Sequence, residues 1–206
     1  MSRGTLTTGI STMLQKLSEL FSAKRTPAGY RPGVTLEHVR RNLGLARFEQ
    51  TGSTEARVAL DDDSLHLEIV ERTESQLLMH LVMTEFVLRV PASREGMASF
   101  ELHHTGAVRR TGIRCRQRFA DTPLLADLQA RLQADGALHQ ALMPLDFKRL
   151  RIDLQGRQWC VRLEHMGGSE VVNRMPAFRR YIALSADQRV WLLEALSGLQ
   201  RVLRTL

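Results

Sequence analysis

Arginine recurs at alternate positions in the stretch "VRRTGIRCRQRF" (108–119), and this spacing could present several cations to one anion. Arg110, Arg114, Arg116 and Arg118 share one parity, whereas Ile113, Cys115 and Phe119 share the other. In a β-strand, residues two apart lie on the same face and are separated by ~6.7 Å, comparable with successive phosphates of a nucleic-acid strand. The pattern therefore predicts a strand with an arginine-bearing face.

A second alternating segment, "FKRLRIDLQGRQWCVRLEH" (147–165), predicts a β-hairpin with Gln155-Gly156 as its two-residue turn. That turn would place Arg149 opposite Arg162, and Arg151 opposite Cys160. Like charges directly opposite each other are unfavourable. We therefore expect solvent, an acidic side chain or a bound anion to separate the first two arginines.

If both segments lie in one sheet, its outer face binds an anionic macromolecule or ligand. The predicted anion-binding residues are Arg114, Arg116, Arg149, Arg151 and Arg162. The alternative is a solvated sheet face with no partner. Nucleic acid is the less favoured partner, because no aromatic residue shares the parity of the arginines to stack on bases.

The charge balance gives weaker support for an anionic partner. The chain has 29 basic and 22 acidic residues and a net charge of +7. Of the basic residues 26 are arginine, a bias typical of proteins from GC-rich bacterial genomes. Residues 49–101 run against the trend, with 4 basic and 11 acidic side chains.

The stretch "HMGGSEVVNRMPAFRRYI" (165–182) places Gly167-Gly168 between two apolar alternating runs. Phosphate loops need their glycines to open a helix, but β-branched residues and a proline follow here. Gly-Gly between strands instead predicts a hairpin turn. The alternative is an anion held by the downstream arginines, Arg174, Arg179 and Arg180.

A second hypothesis is an enzyme or small-ligand protein with a pocket between sheet and helices, using Glu85 and a histidine. Glu85 stands in an apolar run, where a carboxyl group is either a catalytic acid or the partner of an arginine such as Arg89. No catalytic, metal-binding or cofactor motif is recognisable, so we predict no catalytic residues, no metal and no cofactor.

The elements that must position these residues predict an α+β protein. Nine alternating runs indicate a mainly antiparallel sheet of about 7–10 strands, packed on one face by helices. Helical spacing covers 122–142, with Gly136 as a break, and 186–205. Ser185 and Gln188 form a capping-box pattern before the last helix. Its leucine stripe is expected to pack in the core, with a homodimer seam as the alternative.

The chain divides into an N-terminal amphipathic helix or arm (1–24), a linker (25–33) and one α+β domain (34–206). Two similar sub-lobes, 45–142 and 147–206, are an alternative within that domain. Thr35 is the expected N-cap of a short helix that ends at Gly44. Both cysteines are expected to be buried and reduced. No secretory signal or membrane span is recognisable, so we expect a cytoplasmic protein; peripheral membrane contact through the first helix is an alternative.

The stretches "YRPGVTLEHVRRNLGL" (30–45) and "GGSEVVNRMPAFRRYIAL" (167–184) resemble an uncharacterised proteobacterial family, a domain of unknown function. The resemblance extends over most of the chain. It implies a bacterial origin, and it implies neither an activity nor a role for any residue.

Overall fold

The computed structural model describes residues 30–45, 47–60, 62–75, 79–106, 109–119, 122–174 and 177–206. The predicted N-terminal arm (1–24) and residues 25–29 of the predicted linker lie outside the described residues. The rest of that linker contacts the sheet: the Tyr30 hydroxyl donates to a Glu71 carboxylate oxygen at 3.0 Å.

The described elements confirm the α+β prediction. In chain order they are α1 (Val34–Leu43), β1 (Arg47–Gln50), β2 (Glu55–Ala59), β3 (His66–Ser75), β4 (Met79–Thr105), β5 (Gly112–Phe119), α2 (Thr122–Ala134), α3 (Gly136–Leu142), β6 (Phe147–Arg174), β7 (Ala177–Ile182) and α4 (Ala186–Arg204). Within these residues, no helix is long and apolar enough to cross a membrane.

The seven strands of the described residues form one antiparallel sheet, in the order β1-β2-β3-β4-β6-β7, with β5 also paired to β4. β4 and β6 are 27 and 28 residues long and pair along nearly their whole length. Each joins runs that the sequence predicts as separate strands. The joins are irregularities of the ladder, where extra residues bulge and pairing then resumes.

The predicted turns at Gln155-Gly156 and Gly167-Gly168 are both wrong, because both dipeptides lie inside β6. Gly156 pairs with Gly96 of β4, next to a register shift. Residues 166–169 form a bulge opposite Met83, between the pairs Val82–Glu170 and Thr84–His165. Gly156 and Gly168 have φ of 60° and 85°, which glycine adopts without the strain of a side chain. The same backbone freedom that permits a turn therefore permits a bulge.

The irregularities at positions 91–96 of β4 and at Gly156 of β6 bend this two-stranded ribbon back on itself. The Met166 N–H donates to the Asp146 carbonyl at 2.9 Å, although the two residues are 20 positions apart along the chain. A straight strand of that length would span ~66 Å. The first half of the sheet (β1–β3, 79–91 of β4, 158–173 of β6, β7) therefore faces the second half (β5, 96–105 of β4, 147–156 of β6).

Helices pack on the apolar face of the sheet, where alternate residues such as Phe86, Phe100 and Trp159 are fully buried. The leucine stripe of α4 lies in this core: Leu192, Leu196, Leu199 and Leu203 are all fully buried. The predicted core packing of the stripe is confirmed. Cys115 and Cys160 are also buried, as expected.

The capping predictions are confirmed in part. The Ser185 hydroxyl accepts from the Gln188 N–H, as a capping box requires. The Gln188 side chain, however, accepts from the Asp146 N–H and donates to the Pro144 carbonyl, which ties α4 to the start of β6. The break near Gly136 is confirmed, because Asp135 caps α3 there.

The predicted N-cap of α1 is wrong. The cap is Gly33, and the Thr35 hydroxyl donates to the buried Glu170 at 3.2 Å. Glu71 of β3 accepts from the Gly33 and Leu36 N–H groups. A carboxylate from the sheet thus accepts from free N–H groups of the first turn, as a local cap would. Its negative charge also interacts favourably with the positive end of the helix dipole. The predicted end of the helix is confirmed, with Gly44 as a left-handed C-cap.

Candidate anion-binding site

The sheet face opposite the core, called the polar face below, carries all five predicted anion-binding arginines. Glu101 of β4 pairs with Arg116 of β5 on one side and with Arg151 of β6 on the other. Directly paired residues point to the same face. The two arginine-bearing strands therefore lie in one sheet, as the hypothesis required, with β4 between them.

The predicted pairing of Arg149 with Arg162 is wrong, because both residues lie on β6. The Arg149 Nη1 donates to Glu164 Oε1 at 3.1 Å, and the Arg162 Nη1 donates to Asp153 Oδ2 at 3.0 Å. Both ion pairs cross the fold of the ribbon. Acidic side chains, one of the three neutralising groups expected from the sequence, therefore separate these arginines.

Arg114 and Arg116 are exposed on β5, and the described residues contain no ion-pair partner for either. Arg114 is paired with His103 across the ladder. The nearby carboxylate of Glu101 accepts from Arg118 at 3.4 Å. These two arginines share the polar face with the others but line a different part of it.

Four arginines from four neighbouring strands surround one pocket of about 270 Å³ on the polar face. We call it the four-arginine pocket; it is lined by Arg57 of β2, Arg72 of β3, Arg89 of β4 and Arg162 of β6. Between them lie Val70 and Val87, whose short side chains leave the space that the pocket occupies. Of the five predicted residues, only Arg162 lines this pocket.

The register of the sheet explains why these four side chains meet. Arg57 pairs with Glu68, Glu68 pairs with Val87, and Val87 pairs with Arg162. These pairs form a single row across four strands, ~4.8 Å apart from strand to strand. Arg89 comes from the next same-face row on one side and Arg72 from the second row on the other side, and their long side chains reach the same space.

Each guanidinium group of the pocket keeps N–H donors that no described residue accepts. Arg72 donates through Nε to Glu85 at 3.0 Å, and Arg89 donates through Nε and Nη2 to Glu68. Within the described residues, Arg57 has no ion-pair partner. Arginine carries five N–H donors in a fixed planar fork, so one carboxylate does not saturate it.

The lining of the pocket is positive overall. Its four arginines face the carboxylates of Glu55 and Glu68, which leaves a formal excess of two positive charges. The Glu85 and Asp153 carboxylates, outside the lining, form ion pairs with Arg72 and Arg162 and balance this formal excess. Fixing the guanidinium groups in this way lowers the entropy lost when they bind a ligand.

Arg57, Arg72 and Arg89 are functional candidates that sequence reasoning missed. They lie in the segment 49–101, whose net charge is negative, and none belongs to an arginine run: Arg57 and Arg72 are the only arginines of β2 and β3, and Arg89 is five positions from Arg94 in β4. Arg57 and Arg89 stand between buried apolar neighbours, and Arg72 continues the alternation set by the buried Leu67 and Ile69, which places each on the polar face. The row that unites them depends on the register between strands.

Glu85 is the partner of an arginine, the second of the two roles considered from the sequence. Glu85 is buried on the polar face and is held by Arg72 rather than by Arg89. A pocket between sheet and helices does exist: about 500 Å³ lies between β5 and the helices α2 and α3, lined by Cys115 and His139 among others. Burial raises the pKa of the Cys115 thiol to about 11. Glu85 does not line that pocket.

The buried charges around the first turn of α1 are already satisfied. Glu170, almost fully buried, accepts from the guanidinium group of Arg179 and from the Thr35 hydroxyl. Arg179 was one of the arginines that could meet an anion near Gly167-Gly168, and its anion is this carboxylate. Burial and the neighbouring Glu71 carboxylate raise the pKa of Tyr30 to about 12. These contacts dock α1 on the sheet.

The described ranges contain no group of three or more His, Cys, Asp or Glu side chains placed to hold a metal ion. The donors that dominate the polar face are guanidinium groups, which bind anions and do not coordinate cations.

The chain matches the family model described as protein of unknown function (DUF3156) over residues 41–203. No curated protein matches it, and no solved structure does. The match carries no organism, so the proteobacterial origin implied by the resemblance stays a prediction. Because the match covers most of the chain, including every residue of the four-arginine pocket, this protein belongs to the family of proteins of unknown function DUF3156.

Proposed function

We propose that this protein is a binding protein that holds a carboxylate or phosphate group in the four-arginine pocket. The single observation that carries the proposal is the convergence of Arg57, Arg72, Arg89 and Arg162 on one small concave space. Guanidinium groups match carboxylate and phosphate oxygens in geometry as well as in charge.

The shape of the pocket favours a compact anionic group over an extended polyanion. Its volume of about 270 Å³ suits one small charged group, and its walls stand on four strands of a folded sheet. A flat face with arginines along β5 and β6 would suit a polymer better, but Arg149 and Arg162 are engaged across the fold of the ribbon. We therefore place the anion in the four-arginine pocket rather than along the whole arginine-bearing face.

Arg57 offers the cleanest test of the pocket. Its replacement by glutamine removes a cation without stranding a carboxylate, because no described residue forms an ion pair with it. Arg116→Gln is the matched control: it removes the same charge from an exposed site on the same face. We would measure the binding of inorganic phosphate and of acetate by calorimetry at low salt, and check the fold by circular dichroism.

We expect Arg57→Gln to weaken the binding of the preferred anion about tenfold, which corresponds to ~1.4 kcal/mol, and Arg116→Gln to leave it nearly unchanged. Equal losses in the two variants would show that charge on the whole face, rather than this pocket, attracts the anion. Tighter binding of a single-stranded oligonucleotide, weakened by Arg116→Gln, would replace the proposal with a nucleic-acid partner. Binding that neither variant changes would refute it.

A further inference from the structure

A second cavity adjoins the four-arginine pocket and shares Arg89 and Arg162 with it. This cavity has a volume of about 480 Å³ and lies between the two halves of the folded sheet. We call it the adjoining cavity. Because the same two guanidinium groups line both spaces, one ligand can contact them from both.

One wall of the adjoining cavity is apolar and exposed. Met97 of β4 is 72% exposed and Phe119 of β5 is 51% exposed, and both line the cavity. Phe119 pairs with Ser99, so Met97 and Phe119 are diagonal neighbours on adjacent strands, within reach of each other. Among the described residues only four large apolar side chains are strongly exposed, and this cavity takes two of them.

A ladder irregularity puts Phe119 on the polar face. The sequence places it on the parity opposite to the arginines, but the register shifts between Ser99 and Phe100, so that Phe119 faces Ser99. An aromatic side chain therefore stands on the arginine-bearing face, where alternation alone predicts none. Paired exposed apolar residues beside a cavity are typical of ligand or partner contacts, unlike single ones scattered over a surface.

The facing wall, from the first half of the sheet, is cationic and polar. It carries Arg89 and Arg162, with the thiol of Cys160 and the amide of Gln158 beside them. Burial raises the pKa of Cys160, although the two arginines act against that rise. A ligand in this cavity therefore meets guanidinium groups on one side and a thioether and a phenyl ring on the other. The Asp153 carboxylate also lines the cavity and occupies one N–H of Arg162, so the head group binds the donors that remain on Arg89 and Arg162.

We infer that the ligand is an amphipathic anion, whose charged head binds the arginines and whose apolar body lies against Met97 and Phe119. The inference rests on the proposed anion pocket and adds the class of molecule that it takes. Carboxylate and phosphate heads share the chemistry that arginine recognises, so the two are compared directly in the test. We infer a small molecule rather than a second protein chain. The apolar side chains and the arginines line one cavity between the two halves of the folded sheet.

The test compares ligands that share a head and differ in apolar length. Binding of inorganic phosphate, butyl phosphate and octyl phosphate to the full chain would be measured by calorimetry, below the concentration at which the last forms micelles. Acetate, butyrate and octanoate form the matching carboxylate series. We expect affinity to rise with chain length in the series whose head is preferred, by at least about tenfold from the shortest to the longest member.

The double variant Met97→Ser, Phe119→Ser should remove that gain and leave the binding of inorganic phosphate or acetate unchanged. Phe178→Ser is the matched control, because Phe178 is 49% exposed on β7 and does not line the cavity. It should keep the full gain. All three side chains are exposed, so we expect these variants to fold.

The failures of the two proposals are distinguishable. Arg57-dependent binding of the head group with no gain from chain length would overturn the amphipathic ligand and retain the anion pocket. If no member of either series binds, both proposals fall. A fall in the mass of the native particle on Met97→Ser, Phe119→Ser would identify a second copy of the chain as the occupant, and would also overturn the inference.

Discussion

The Arg149 guanidinium group lies 3.1 Å from the Glu164 carboxylate, although the two residues are 15 positions apart on one strand. In a straight strand they would be ~50 Å apart. Their ion pair exists because the β4–β6 ribbon folds back at Gly156 and brings the polar faces of its two halves together. The same bend creates the adjoining cavity, so both this ion pair and the proposed ligand contacts depend on it.

This ion pair predicts that Arg149→Glu destabilises the fold. The Glu164 side chain is only 8% exposed, so the variant would leave a buried carboxylate facing a like charge. We expect a loss of about 1–3 kcal/mol in the free energy of unfolding, measured in urea. Arg114→Glu, an exposed change on the same face, should cost less than about 0.5 kcal/mol. Equal costs would show that Arg149 makes no specific contribution.

Gly168→Ala should destabilise the bulge of β6. Gly168 has φ of 85°, and an added Cβ would lie 3.0 Å from Thr84 Oγ1 and 3.1 Å from Val39 Cγ2. Backbone strain of this kind costs about 1–3 kcal/mol, readable from thermal or urea unfolding. Gly136→Ala is the control, because nothing lies within 4 Å of the added atom at the start of α3. That change should be neutral or stabilising.

His165 should make stability depend on pH. Burial lowers its pKa below the ordinary 6.5. The hydrogen bonds to the Gly167 carbonyl and to Gln188 act to raise the pKa but do not cancel the effect of burial. Of the nearby charges, Asp146 raises the pKa slightly and Arg110 lowers it slightly. A histidine with a depressed folded-state pKa binds more protons when unfolded, so its contribution to stability is lost as pH falls below about 6.5.

We would measure urea unfolding at about pH 7.5 and about pH 5.5 in the wild type and in His165→Asn. The wild type should lose more unfolding free energy on acidification than the variant does. His66→Asn, at an exposed position, should follow the wild type. A larger loss in His165→Asn than in the wild type would contradict the assigned direction of the pKa.

Leu196→Ala tests whether the leucine stripe of α4 packs in the core of the chain or between two copies of it. Leu196 is fully buried in the core of the chain, so its truncation should cost about 2–5 kcal/mol of unfolding free energy. The native mass should not change. Val190→Ala on the same helix, at a position 46% exposed, should cost less than about 0.5 kcal/mol. A change of mass with little loss of stability would support the dimer-seam alternative instead.

Local patterns in the sequence were enough to predict the element types. Alternation identified the strand-forming runs, because a strand with one buried face repeats every two residues, but it divided β4 and β6 into shorter strands. Helical spacing and Ser185 identified α4, and Gly44 identified the end of α1. At the candidate site, parity placed the five predicted arginines on one face, and one of them, Arg162, lines the pocket.

The rest was beyond local patterns. Glycine pairs predict turns and bulges equally, since both need the same backbone freedom, and only the pairing partner decides between them. Gly167-Gly168 is a bulge because β4 continues past it. The row from Arg57 to Arg162 depends on the register of four strands whose residues are up to 105 positions apart.

The sequence by itself determined an α+β chain with an arginine-bearing sheet face, because side-chain alternation and helical spacing are properties of neighbouring residues. The tertiary structure alone decided which arginines converge, which of them acidic side chains neutralise, and that Phe119 joins them on the polar face. The physical reason is that strand register, bulges and the bend of the ribbon are set by burial of the whole apolar face against the helices, a condition that no short segment contains.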